Sequence, residues 1–128
     1  MSDIPADLRY TRSHEWLRLL PGGQLEIGIT QHAQGALGDL VFVDAPQAGR
    51  EVTEGEACAV VESVKAASDI YSPVAGTVVE SNAAVVASPE LINTDPYGAG
   101  WLIRIQPKDA VDGLLSADEY ARLLAEEA

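Results

Sequence analysis

Several short stretches of this chain alternate apolar and polar residues with a period of two, as a strand with two different faces does. Leu17 and Leu19 point opposite to Trp16 and Arg18, and "PGG" at 21–23 then turns the chain. Leu25, Ile27 and Ile29 follow on one face, with Glu26 and Gly28 on the other. The pattern predicts a β-hairpin with one wet side. Thr30 is placed to cap a short helix over "QHAQGAL", and Gly38 to close it after one or two turns. "DLVFV" (39–43) returns to strand character, rich in β-branched residues.

From there glycine, proline and asparagine punctuate the chain often, at Pro46, Gly55, Pro73, Gly76, Asn82 and Pro96 among others. Between them lie short apolar pieces, including "ACAVV", "TVV" and "WLIRI" (101–105). Short strands with turn signals at this density predict a mainly β sandwich or small barrel. A parallel α/β fold is disfavoured, because no helical segment of crossover length separates the strands. "GDLVFV" (38–43) and "GTVVES" (76–81) resemble each other, a hint of two similar halves. The C-terminus differs. Ser116 and Glu119 form a capping box, and Tyr120, Leu123 and Leu124 follow at helical spacing. A helix is expected from about 117 to about 126, its apolar stripe laid on the sheet.

Composition narrows the function classes. At 128 residues, 47% hydrophobic and 22% charged, the chain reads as one globular domain over 1–128. A net charge of −12 argues against nucleic acid and against an anionic membrane surface. It favours a monomer, and partners that offer basic docking faces. Cys58, the single cysteine, permits no internal disulfide and reads as a small buried thiol. No apolar run reaches membrane-spanning length, and "MSDIPADL" is neither signal-like nor transit-like. A cytoplasmic protein is expected, or a mitochondrial matrix one if a transit peptide has been removed.

No self-sufficient catalytic apparatus is legible. His14 and His32 have no histidine or cysteine at metal-ligand spacing, so no zinc site is expected. No glycine-rich loop precedes a helix in phosphate-binding form. The feature left over is Lys65, one of two lysines among twenty acidic residues, at the tip of a hairpin over about 56–72. Its neighbours Ser63, Ala66, Ala67 and Ser68 are small, so another protein could close over the amine. Taken alone, spacing and composition still favour an ordinary solvated lysine.

"ESVKAASDIYSPVAG" closely resembles the lipoyl attachment segment of glycine cleavage system H proteins. "YTRSHEWLRL", "IGITQHAQGALGDLVFVDAPQAG", "SPELINTDPYGAGWLIRI" and "LLSADEY" also resemble segments of that family, in family order, across nearly the whole chain. The resemblance implies a barrel-sandwich hybrid of two antiparallel sheets, lipoyl-domain-like, with short flanking helices. It implies lipoic acid amide-linked to Lys65. It implies a carrier that is no enzyme, shuttling an aminomethyl group from glycine decarboxylase to aminomethyltransferase and reoxidised by dihydrolipoamide dehydrogenase. Lipoate-attaching enzymes would be further partners, reading Glu62, Ser63, Val64 and Ala66 around the lysine. The family folds its loaded arm into a surface cleft, and Ser13, Glu15, Asp69 and His32 are the residues here that could line it. A carboxylate there could hold the cationic aminomethyl nitrogen. The chain reads Gly35-Ala36 where family members often carry a histidine or another polar residue, so part of that lining would be missing.

Other readings stand beside this one. An H-like protein could serve lipoate transfer, and a lipoyl or biotinyl domain could belong to another multienzyme complex. Biotinyl domains place methionines beside their lysine, whereas Val64 and Ala66 flank it here. An acidic interaction module with an unmodified Lys65 is the remaining alternative.

Overall fold

The computed structural model describes residues 4–108 and 113–127. The expected extent of 1–128 therefore includes positions 1–3, 109–112 and 128 that lie outside the described residues, as does the very start of "MSDIPADL". The alternating segments form the predicted strands. After a short β1 (Arg9–Tyr10), β2 (Glu15–Leu19) and β3 (Leu25–Ile29) make the hairpin around "PGG", with Leu17 opposite Ile27 and Leu19 opposite Leu25. The capped helix α1 spans Gln31–Leu37; the Thr30 hydroxyl accepts from the Ala33 N–H, and the Gly38 N–H closes the last turn on Gln34. β4 (Leu40–Asp44), β5 (Glu51–Val52), β6 (Ala57–Ser63), β7 (Ala67–Tyr71) and β8 (Gly76–Ser81) follow, then β9 (Ile103–Pro107).

All pairings are antiparallel, in a six-stranded sheet of order β1-β2-β3-β9-β8-β5 and a three-stranded sheet of order β4-β6-β7. The two glycine-led segments become β4 and β8, one in each sheet. Between the sheets, Leu17, Leu25, Ile27, Val78, Ile103 and Ile105 pack with Cys58 of β6. A second cluster joins Ile29, Leu40, Val43, Val61 and Ile70 to two five-residue helices, α2 (Ala83–Ala87) and α3 (Glu90–Thr94), through Val85 and Ile92. Burial of these apolar side chains supplies the main driving force.

The hairpin was expected to have one wet side, and here the structure corrects the pattern. All five residues of β3 are buried, including Glu26 and Gly28. Glu26 lies between two guanidinium groups, with Arg18 at 2.7 Å and Arg104 at 2.9 Å. Gly28 lies beneath the Trp16 indole, where an added Cβ would come within 2.7 Å of the ring. Alternation shows which residues share a face but not whether another element covers it. Here the cover comes from the C-terminal helix and the segment around Tyr97. That helix, α4 (Ala117–Glu127), starts at the predicted capping box: Glu119 accepts from the Ser116 N–H, and Ser116 accepts from the Glu119 N–H. Tyr120 is fully buried, stacked on Tyr10, while Leu123 and Leu124 pack alongside.

Candidate carrier site

The hairpin of β6 and β7 pairs Glu62 with Ala67 and turns through Val64, Lys65 and Ala66, all exposed. This tip lacks the glycine-based turn chemistry that tight hairpins favour. Ser63 replaces it. The Ser63 hydroxyl accepts from the N–H groups of Lys65 (3.3 Å) and Ala66 (3.1 Å), and the Ser63 N–H donates to the Ala66 carbonyl at 2.7 Å. Ser63 is buried, and its hydroxyl is committed to the turn. Val64, Ala66 and Glu62 remain outward-facing around the lysine. Among the described residues the Lys65 ammonium has neither a hydrogen bond nor an ion pair.

The Lys65 stem passes over the C-cap of α1. An added Cβ on Gly38 would stand 3.3 Å from Lys65 Cε, and Gly38 also holds φ at +88°, which glycine adopts without strain. Asn93 of α3 fixes this seat: it donates to the Gly38 carbonyl (2.9 Å) and to Gln34 (2.8 Å), and it accepts from the Leu40 N–H (2.9 Å). Neither Gly38 nor Asn93 stood out as functional in the sequence, because only the tertiary fold brings them to the lysine.

β7 is the outer strand of its sheet, and it runs from the lysine tip towards Glu15. From Ala67 to Tyr71 the strand covers about 13 Å. There the Tyr71 N–H donates to Glu15 at 3.3 Å. Glu15 is almost completely buried, and its other carboxylate oxygen accepts from the hydroxyls of Thr11 and Ser13, each at 2.6 Å. Burial raises the Glu15 pKa above the ordinary carboxylate value, and the Ser13, Thr11 and Tyr71 donors partly offset that rise. A groove of about 260 Å³ opens beside these groups, lined by Thr11, Ser13, Glu15, Gly55, Tyr71 and Pro73 among others.

Ser13 and Glu15 are thus brought together, with Thr11 as a third member that the sequence did not single out. Asp69 is exposed on β7, between the lysine tip and Tyr71, and does not line this groove. His32 is elsewhere. It lies on α1 with its ring 4.8 Å from that of His14. Gly35 and Ala36 are exposed, with open space beside Gly35. Cys58 is buried in the core, its thiol pushed up to about 11 chiefly by burial, as an inert structural thiol would be.

A family profile described as glycine cleavage H-protein matches residues 8–127. The chain belongs to the glycine cleavage H-protein family. It is 57% identical to the glycine cleavage system H protein of Halorhodospira halophila, over 99% of both chains. It is 55% identical to that of Aeromonas salmonicida, over 99% of this chain and all of the relative. The crystal structure of a glycine cleavage system H protein from Mycobacterium marinum superposes with a TM-score of 0.89 at 50% identity, over 95% of this chain and 99% of that one. Membership bears out the mainly β, two-sheet expectation and the role of a lipoyl carrier component that is not itself an enzyme. It decides against a lipoyl or biotinyl domain of another complex. The other components of the glycine cleavage system are its partners as a class. Among the described residues no helix is long and apolar enough to cross a membrane.

Proposed function

We propose that Lys65 is the residue of this carrier that takes lipoic acid, through an amide formed at its Nζ. The observation that carries this assignment is an exposed lysine at a hydrogen-bonded hairpin tip, its ammonium unpaired among the described residues and its stem lying over Gly38, where an added Cβ would stand 3.3 Å from Lys65 Cε. When bound, the dithiolane supplies reversible two-electron thiol–disulfide chemistry and a sulfur to which a one-carbon group can attach. The chain's own residues hold, aim and shelter. Ser63 holds the root of the arm by closing the turn on the Lys65 and Ala66 N–H groups. Glu62, Val64 and Ala66 present the surface that lipoate-attaching enzymes read.

The free edge of β7 leads from Lys65 to the Glu15 groove over a length that the extended lysine and lipoyl stems can match. Glu15 is the receptor at its end. A cationic amine in the groove would favour the ionised carboxylate and receive a charge-assisted hydrogen bond, with Ser13 and Thr11 orienting the acceptor. Asp69, half-way along the edge, adds negative charge beside that path. Docking in this groove would limit the access of water to a hydrolysable cargo. His32, turned towards His14, is not assigned to the arm.

In this account the whole chain acts as one carrier domain and as a monomer, consistent with its net charge of −12. Glycine decarboxylase, aminomethyltransferase and dihydrolipoamide dehydrogenase are its partners, and the acidic surface hastens encounters with basic docking faces. The relatives named above are bacterial, which supports a cytoplasmic site of action. The test is glycine-dependent reduction of the carrier by the decarboxylase. Wild-type protein from lipoate-replete cells should be reduced and Lys65→Arg should not. Equal reduction of both would remove the assignment.

A further inference from the structure

Away from the Lys65 hairpin and the Glu15 groove, a second set of groups converges on the other side of the "SHEW" segment. His14 has φ +71°, a left-handed conformation in which histidine is several-fold enriched for a non-glycine residue. Ser13 and Glu15, on either side of it, line the groove. The His14 ring instead meets Tyr120 and Glu127 of α4 and His32 of α1. One donor atom from each of His14, His32 and Glu127 lies within 4.8 Å of the others. We propose that these three side chains bind a divalent transition cation of the zinc class and so fasten the C-terminal helix to α1 and the start of β2.

The spacing fits such an ion. With metal–ligand distances of about 2.0–2.1 Å, two donors on a tetrahedral zinc stand about 3.3–3.4 Å apart. His14 Nε2 and Glu127 Oε1 are already 3.3 Å apart. Rotation of the half-exposed His32 side chain would bring the third donor in. The surroundings suit a ligand as well. His14 Nδ1 lies 2.8 Å from the Tyr120 hydroxyl, which in turn lies 2.7 Å from Thr30 Oγ1. That hydroxyl can take the Nδ1 proton as a hydrogen bond and pass its own to Thr30, leaving the Nε2 lone pair for the metal. Metal-bound imidazoles are held by an outer partner of this kind.

His32 supplies the second reason. Its ring packs against that of His14, and among the described residues it has no side-chain hydrogen bond. Two imidazoles and one carboxylate select borderline cations such as zinc, cobalt or nickel over magnesium or calcium, which prefer all-oxygen shells. Three protein ligands leave a fourth position for water. His14 and His32 are too far apart in sequence for any ligand-spacing motif, and Glu127 comes from the opposite end of the chain. For that reason the sequence did not suggest a metal.

The test uses untagged full-length protein carrying Lys65→Arg, so that no lipoyl dithiol competes for the ion. Zinc is titrated in competition with a chromophoric chelator, and cobalt(II) serves as a spectroscopic probe of coordination. We expect one equivalent bound, a tetrahedral cobalt spectrum, and a Tm raised by about 10 °C at a hundredfold excess over Kd. His32→Gln and Glu127→Gln should each weaken binding at least about tenfold and abolish the cobalt bands. Circular dichroism and the metal-free Tm, expected to change little, verify that both variants fold. Absence of stoichiometric binding, or affinity unchanged in both variants, would overturn the site.

Discussion

Substituting Glu15 by glutamine should separate the carrier's stability from its function. In the free protein the buried carboxylate has a raised pKa, because loss of solvent disfavours its charged form. A carboxyl pKa raised on folding adds stability below the unfolded-state value, and that contribution is lost as pH rises through the folded value. Above the folded value the ionised Glu15 is therefore a cost, which glutamine removes. Glutamine can still accept from the Tyr71 N–H and donate to the rotatable hydroxyls of Thr11 and Ser13. Glu15→Gln should then melt no lower than wild type at pH 7, with its advantage shrinking as the pH falls. The loaded arm should respond in the opposite way. Replacing a charge-assisted hydrogen bond by a neutral one forfeits about 1–2 kcal/mol, a roughly 5- to 30-fold loss in docking. Hydrolysis proceeds from the undocked arm, so the lifetime of the loaded carrier should shorten by a similar factor. Release of ammonia and formaldehyde from purified loaded protein measures it. An unchanged lifetime with intact folding would refute Glu15 as the receptor.

Gly38 and Cys58 offer further tests. Gly38→Ala forces a Cβ into a left-handed backbone and should cost about 1–2 kcal/mol, lowering Tm by about 4–8 °C. Lipoylation should survive, since Lys65 Cε lies at the movable end of its side chain; a thermal melt and an intact mass check both points. Cys58, with its thiol near 11, should react with thiol reagents at pH 8 about a hundredfold more slowly in folded protein than in urea. The same raised value predicts that stability falls as pH rises from about 9 through 11, which alkaline denaturation series will show.

Local signals made much of the fold legible. The Thr30 cap, the "PGG" hairpin and the Ser116–Glu119 capping box each depend on residues close in sequence, and each formed as predicted. α2 and α3 belong to the short flanking helices that the family resemblance implied, but the residues alone did not place them. Five-residue helices are too short to show a period, and Asn82 and Pro89 read equally well as turn residues. Burial of Glu26 was hidden because Arg18, its cross-strand partner, and Arg104 on β9 neutralise it only once the sheet forms. At the candidate site, Lys65 and Glu15 were legible through family resemblance rather than composition. Thr11, Asn93 and the Tyr71 N–H were not, since each acts through a contact that sequence order does not encode.

The central claim is that the Lys65 amine is the point of attachment for a mobile sulfur-bearing arm. Intact-mass analysis with peptide mapping, on protein from cells supplied with lipoate, tests it most directly. The account predicts one lipoyl adduct, located on the peptide containing Lys65 and absent from Lys65→Arg. An unmodified chain, or an adduct that persists in Lys65→Arg, would contradict it.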